Sequence, residues 1–199
     1  MLTRLLLLPV LLAAVCAAAP VPSRAAGAPA PQDDEGRRET ITGSLMGIGG
    51  DVGGRTTNFT LTLTGRTGRA QAQRYVSLLR RQGQEALRRQ LAGRDLGRFS
   101  TTGSVGLPVN FVYEQPVPEG RRLIVLFERW LQPFELRYGT RSRDYPFGYM
   151  EISIDRSGRG SGTLIGAARV YFERNDPTTL TVENFSTYPV RVVNVEVRR

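Results

Sequence analysis

Apolar and polar residues alternate along most of this chain. Phe59, Leu61 and Leu63 alternate with Thr60, Thr62 and Thr64, and Met150, Ile152 and Ile154 alternate with Glu151, Ser153 and Asp155. A period of two with β-branched partners predicts half-buried strands. Leu123 to Phe127 is a continuous apolar run, the mark of a strand covered on both faces. Further strands are predicted at Thr163–Glu173, Leu180–Asn184 and Val190–Val197. Pro118-Glu119-Gly120, Ser157-Gly158-Arg159-Gly160, Asn175-Asp176-Pro177 and Tyr188-Pro189 supply turns between strands. Short connections without intervening helices imply antiparallel pairing.

One segment departs from this period. From about Gly68 to Leu91, Ala72, Tyr75, Val76, Leu79, Ala86 and Leu87 recur at helical spacing, with Arg74, Arg81, Gln84 and Arg88 opposite. Gly83 falls within the apolar stripe. It could break the helix in two or allow close approach to the sheet, and its position suits the second role. Leu79-Arg80-Arg81-Gln82 recurs as Leu87-Arg88-Arg89-Gln90, which reads as coincidence rather than a repeat. The expected fold is α+β: seven or eight antiparallel strands in a curled sheet or partly closed barrel, with one amphipathic helix packed on it.

The N-terminus follows neither pattern. Arg4 precedes a run from Leu5 to Val15 broken only by Pro9, and small residues follow. Residues 1–19 therefore read as a secretory signal peptide, too short to span a bilayer, which takes about 20 residues. Acylation at Cys16 is a minority alternative, because Val15 fits poorly at the preceding position. Residues 20–39 carry Pro20, Pro22, Pro29 and Pro31 among alanines, then Asp33, Asp34 and Glu35. They are expected to form a disordered tether, leaving 40–199 as a single domain in a periplasmic or extracellular protein.

Composition narrows the chemistry. The 27 basic residues are all Arg, against 18 acidic, for a net charge of +9; there is no His and Cys16 is the only Cys. Lys Schiff bases, His proton shuttles and His or thiolate metal sites are excluded or depend on a residue in the leader. No cofactor or metal is expected, and the balance of features argues against an enzyme. The charge is also localised. Residues 66–98 hold nine Arg against Glu85 and Asp95, or +7, whereas 18–65 sum to −1 and 99–199 to +2. A basic amphipathic helix suits an anionic partner, with Arg74, Arg80, Arg81 and Arg88 as the candidate face.

Other segments carry candidate chemistry. The Gly-rich stretch Gly47 to Gly54 precedes a strand and lacks Lys, so it reads as a loop rather than a phosphate cradle. Arg141, Arg143, Asp144, Tyr145 and Tyr149 concentrate guanidinium, carboxylate and phenol before a strand, offering forks for oxyanions and surfaces for stacking. Glu128, Arg129 and Trp130 end the most apolar strand. Glu128 with Asp144 or Glu151, and with Glu135 nearby, would make a glycosidase-type acid pair only if two acids faced one cleft. Asn58-Phe59-Thr60 and Asn184-Phe185-Ser186 match glycosylation sequons but read more simply as strand residues.

Arg141 to Phe147, Glu183 to Arg191, Gly83 to Leu87 and Glu119 to Arg122 resemble segments of a family of uncharacterised exported bacterial proteins of unknown function. The resemblance covers most of residues 60–197 and implies export without implying an activity. The leading expectation is an exported, non-enzymatic binding domain. It would use Arg to engage an anionic lipid, polysaccharide, cell-envelope surface or acidic protein. The alternatives are a carboxylate-dependent glycan hydrolase and a small barrel carrying an apolar ligand. Nucleic-acid binding is disfavoured, because aromatics do not interleave with the basic helix.

Overall fold

The computed structural model describes residues 38–47, 54–131, 143–173, 179–185 and 189–198. Residues 1–37, which include the stretch read as a signal peptide and most of that read as a tether, lie outside the described residues, as do Glu135 and Arg141. β1 (Glu39–Met46), β2 (Thr56–Leu63), β3 (Gly97–Thr101), β4 (Leu107–Pro108), β5 (Phe111–Val117), β6 (Gly120–Phe127), β7 (Phe147–Asp155), β8 (Arg159–Phe172), β9 (Leu180–Asn184) and β10 (Val190–Arg198) form one antiparallel sheet. The helix α1 (Arg69–Leu91) lies between β2 and β3. The α+β expectation holds: a curled half-barrel sheet with one helix packed on it. Among the described residues there are ten strands rather than seven or eight. β1 was hidden because a bulge between Thr42 and Ser44 interrupts its alternation, and β3 and β4 are too short to show a period.

Hydrogen bonding runs β4-β3-β2-β1-β10-β8-β7-β6-β5, with β9 paired to β8 off that path. The two end strands, β4 and β5, are separated only by Val109 and Asn110. The chain thus leaves β3 at one end of the path and joins β6 at the other through a single corner. Asn110 holds that corner. Its backbone N–H donates to Leu126 O at 3.1 Å. Its side-chain amide donates to Arg94 O at 2.8 Å, and its Oδ1 accepts the Glu128 N–H at 2.9 Å. Curling also needs close strand approach. A Cβ at Gly162 would lie 1.9 Å from Glu151 O, and one at Gly160 would lie 2.1 Å from Ser153 O, so only glycine fits there.

The curl creates two apolar layers. Leu123, Val125 and Phe127 of β6 point inward to meet Ile41, Leu61, Phe99, Met150, Ile152 and Val192. Ile124 and Leu126 point outward and pack in a second cluster with Tyr75, Leu79, Leu87 and Leu91 of α1. This accounts for the continuous apolar run, since alternate side chains are buried on opposite faces. The concave face is occupied by these inward side chains. One end is closed by charge: Arg66 Nη2 donates to Glu39 Oε2 at 2.6 Å, Arg121 also pairs with Glu39, and Arg121 Nη1 reaches Glu114 Oε2 at 3.0 Å. Burial works against the Arg121 charge, but Glu39 and Glu114 outweigh it and raise its pKa. The first strand therefore takes in Glu39, the last residue of the stretch read as tether.

α1 is kinked. Gly83 sits at φ 78°, ψ −179°, in the left-handed region that glycine alone enters freely. A Cβ there would have nothing within 4 Å, so Gly83 breaks the helix and makes no close approach to the sheet. Val76, expected in the buried stripe, is instead 37% exposed. No helix among the described residues is long and apolar enough to cross a membrane.

Two substitutions test this scheme. Asn110→Ala, which orphans the groups that the Asn side chain satisfies, is expected to destabilise the fold by about 2–3 kcal/mol in denaturant unfolding. Glu39→Ala leaves two half-buried guanidinium groups with only the more exposed Glu114 and is expected to cost about 2 kcal/mol. An effect below about 0.5 kcal/mol, the level of an ordinary surface change, would remove either residue from its structural role.

Candidate functional site

The structure joins regions that are far apart in sequence. β7 begins at Phe147, paired with Ala168, so the β8 residues beyond that point have no β7 neighbour. Gln84 of α1 fills the gap. Its Oε1 accepts the Val170 N–H at 3.4 Å, and its Nε2 donates to Asp144 O at 2.8 Å. The side-chain amide thus stands in for a strand peptide group. Gln84 was expected on the solvent side of the helix. The kink at Gly83 resets the helical phase and turns it toward the sheet.

Next to this junction, Arg88 makes two hydrogen bonds to Glu85, from Nε at 3.0 Å and from Nη2 at 2.9 Å. Its Nη1 lies 3.6 Å from Glu128 Oε2. The hydrogen bond from Arg88 holds the Glu85 carboxyl below its ordinary pKa, with smaller contributions from the charges of Arg89 and Arg143. The C-terminal half of α1, the 143–145 corner and the end of β6 therefore share one rim of the barrel. Arg88 belongs to that ion-pair network and is not a free cation on the helix face.

Glu128 and Glu151 do not form a glycosidase-type pair. Glu151 is held by Tyr149 Oη, which donates at 2.6 Å, and by Arg122 Nε at 3.4 Å. Glu151 lies opposite Ile124 on β6, and Glu128 lies four residues beyond Ile124, about 13 Å along the strand direction. Glu128 and Glu151 therefore sit in separate ion pairs, too far apart to face one cleft as glycosidase acids do at about 5–10 Å.

Aromatic side chains cap the same rim. Trp130 is 1% exposed and donates its indole N–H to Tyr145 O. Phe185 lies against both Trp130 and Tyr145, with ring centroids 5.6 and 5.3 Å away. Tyr145 Oη donates to Glu183 Oε1 at 2.6 Å, and Arg169 approaches Glu183 at 4.0 Å while lying over the Tyr171 ring. The hydrogen bond to Glu183 pushes the Tyr145 pKa up to about 12. Tyr149 is buried beneath the outer apolar layer, and burial pushes its hydroxyl well above the ordinary value. Trp130 and Tyr149 are thus core side chains. Arg129 is half-buried, while Arg143 and Asp144 are exposed. Sequence reasoning missed Glu183, Arg169, Phe185 and the bridging role of Gln84, because no local period connects residues 84, 130, 145 and 183.

The other half of α1 differs in character. From Arg69 to Gln84 the helix carries Arg69, Arg74, Arg80 and Arg81 and no acid; the first acid is Glu85. The N-cap is Gly68, with no side-chain capping bond and no acid in the first turn. Arg80 lies over the Phe172 ring at 4.6 Å. Arg74 and Arg81 are exposed and make no ion pair with any described residue. Arg69 lies in the first turn, where the helix dipole disfavours positive charge, whereas Arg80 and Arg81 lie just before the break at Gly83, where it does not. Among the described residues no cluster of metal-ligating side chains occurs. No family model, curated protein or solved structure matches the chain.

The rim makes a pH-dependent prediction. Tyr145 has a folded pKa above its unfolded value of about 10. Its hydrogen bond therefore stabilises fully below pH 10, and the contribution disappears as pH rises through about 12. Tyr145→Phe should lower Tm near neutral pH, and the difference from wild type should close between about pH 10 and 12. A constant difference across that range would show that Glu183 does not control this hydroxyl.

Proposed function

We propose that this protein is an exported, non-enzymatic binding domain that engages an anionic partner through the N-terminal half of α1. One observation carries the reading: four exposed arginines and no acid on the helix between Arg69 and Gln84. Many arginines elsewhere are neutralised in place. Arg66 and Arg121 meet Glu39, Arg88 meets Glu85 and Glu128, and Arg122 meets Glu151. Arg74 and Arg81 have no such neighbour among the described residues, which leaves their guanidinium forks available to an oxyanion. Arg143, on the adjoining rim, extends the positive surface beyond Glu85. Export rests on the leader-like residues 1–19.

A charge-matched comparison tests the reading. Arg74→Glu/Arg81→Glu and the control Arg191→Glu/Arg198→Glu lower the net charge equally. Only the helix pair is expected to abolish retention on an anionic surface, and wild-type retention should collapse as added salt shortens the screening length below about 10 Å. Equal losses in both variants, or retention insensitive to salt, would show that overall charge or apolar contact is responsible.

A further inference from the structure

We infer that the acidic run Asp33-Asp34-Glu35 docks against Arg69 and Arg74 at the start of α1 and competes there with the anionic partner. The inference rests on the anionic-partner reading and adds a regulator from the same chain. Of the 18 acids in the sequence, these three are the only ones adjacent to one another. The strongest positive charge, nine Arg against two acids, lies in residues 66–98. Arg37 and Arg38 stand closer to the run, but two cations do not neutralise three carboxylates. Arg69 and Arg74 are exposed, and neither pairs with a carboxylate among the described residues.

Glu39 ties the two stretches to one corner. It opens β1 opposite Leu63, the last residue of β2, and its carboxylate accepts from Arg66 at 2.6 Å. Arg69 begins α1 three residues later, no more than about 10 Å further along the chain. Upstream of Glu39, Glu35 is four residues away and Asp33 six, a reach of up to about 14–20 Å in extended chain. Arg74 stands about 7.5 Å beyond Arg69 along the helix axis. Arg80, by contrast, lies over Phe172, at the other end of β8 from Arg159. Arg159 is joined through Glu196 to Thr42 of β1, so Phe172 is about 40 Å along the strand from that row. The acids therefore reach Arg69 and Arg74 and fall short of Arg80 and Arg81.

Ion pairs of this kind form on a convex helix surface and need no groove. Each is weak when exposed, but the short connection from Glu35 to Glu39 holds the carboxylates at a high effective concentration beside the helix. A partner presenting more negative charge displaces them, and added salt weakens both contacts. Docking covers the Arg69 end of the basic face and leaves Arg80 and Arg81 open for first engagement.

The chain contains no Lys, so one Lys substitution on α1 places the only ε-amine in the molecule. The full-length protein carrying Arg69→Lys or Arg74→Lys is treated at low salt with a carbodiimide, which condenses an amine with a touching carboxylate and takes up the water as a urea. Mass analysis of the joined peptides should find amide bonds from positions 69 and 74 to Asp33, Asp34 or Glu35, and none to these acids from Arg81→Lys. A second arm measures binding to phosphatidylglycerol vesicles. Asp33→Asn/Asp34→Asn should tighten it by about threefold, the worth of two exposed ion pairs. The control Glu119→Gln/Glu196→Gln removes equal charge from exposed sites and should change it little. Absence of joined peptides at 69 and 74, or equal joining at 81, would overturn the docking. Equal tightening by both variant pairs would overturn the competition. Joined peptides in a protein of which no variant binds these vesicles or heparin would leave the docking in place and overturn the anionic-partner reading.

Discussion

A ten-stranded sheet has two faces to bury, and the described residues supply one helix. α1 covers the outer side of the β5–β9 region, and the remaining apolar surface can leave water only if the sheet curls upon itself. Much else in the architecture answers that requirement. The glycines at 160 and 162 let β7 and β8 approach closely. The Asn110 corner carries the chain from one end of the hydrogen-bonded path to the other without leaving its polar groups unsatisfied. Trp130 and Leu131 are buried at one end of the half-barrel, while Glu39, Arg66, Glu114 and Arg121 pair at the other.

The same requirement sorts the charge. Where strands converge at the closed end, arginines are drawn toward buried carboxylates and become structural. Along the rim, Arg88 and Arg169 are tied to Glu128 and Glu183. On the first half of α1, the sheet-facing side is apolar and the opposite side meets solvent, and among the described residues no carboxylate pairs with Arg74 or Arg81. A composition of 27 arginines therefore says little until each guanidinium is assigned to a partner or to solvent. Ion pairing ties Arg66, Arg88, Arg121, Arg122 and Arg169 to carboxylates, while Arg74 and Arg81 on the helix meet none among the described residues.

Local patterns predicted local features well. Alternation at residues 59–63 and 150–154 and the apolar run at 123–127 correspond to β2, β7 and the doubly covered β6, because side-chain burial in a strand follows its period of two. The boundaries of α1 also followed from its spacing. Features that break a period were harder to see. The bulge in β1 conceals its alternation, and the kink at Gly83 shifts the phase so that Gln84 faces inward. Trp130 and Tyr149, chosen for their chemistry, are buried because their surroundings are set by β9 and α1, which lie far away in sequence.

By itself, the sequence determined the fold class, the strands that alternate cleanly, the single amphipathic helix and the concentration of positive charge on it. Each of these depends on spacing within a few residues. Only the tertiary structure decided how far the sheet curls, which arginines are neutralised, that Glu128 and Glu151 sit in separate ion pairs, and that Gln84 joins the helix to the Asp144 corner. Those outcomes depend on which side chains meet across strands and helix. Pairing between residues many positions apart is governed by burying both sheet faces at once, a constraint that no local period records.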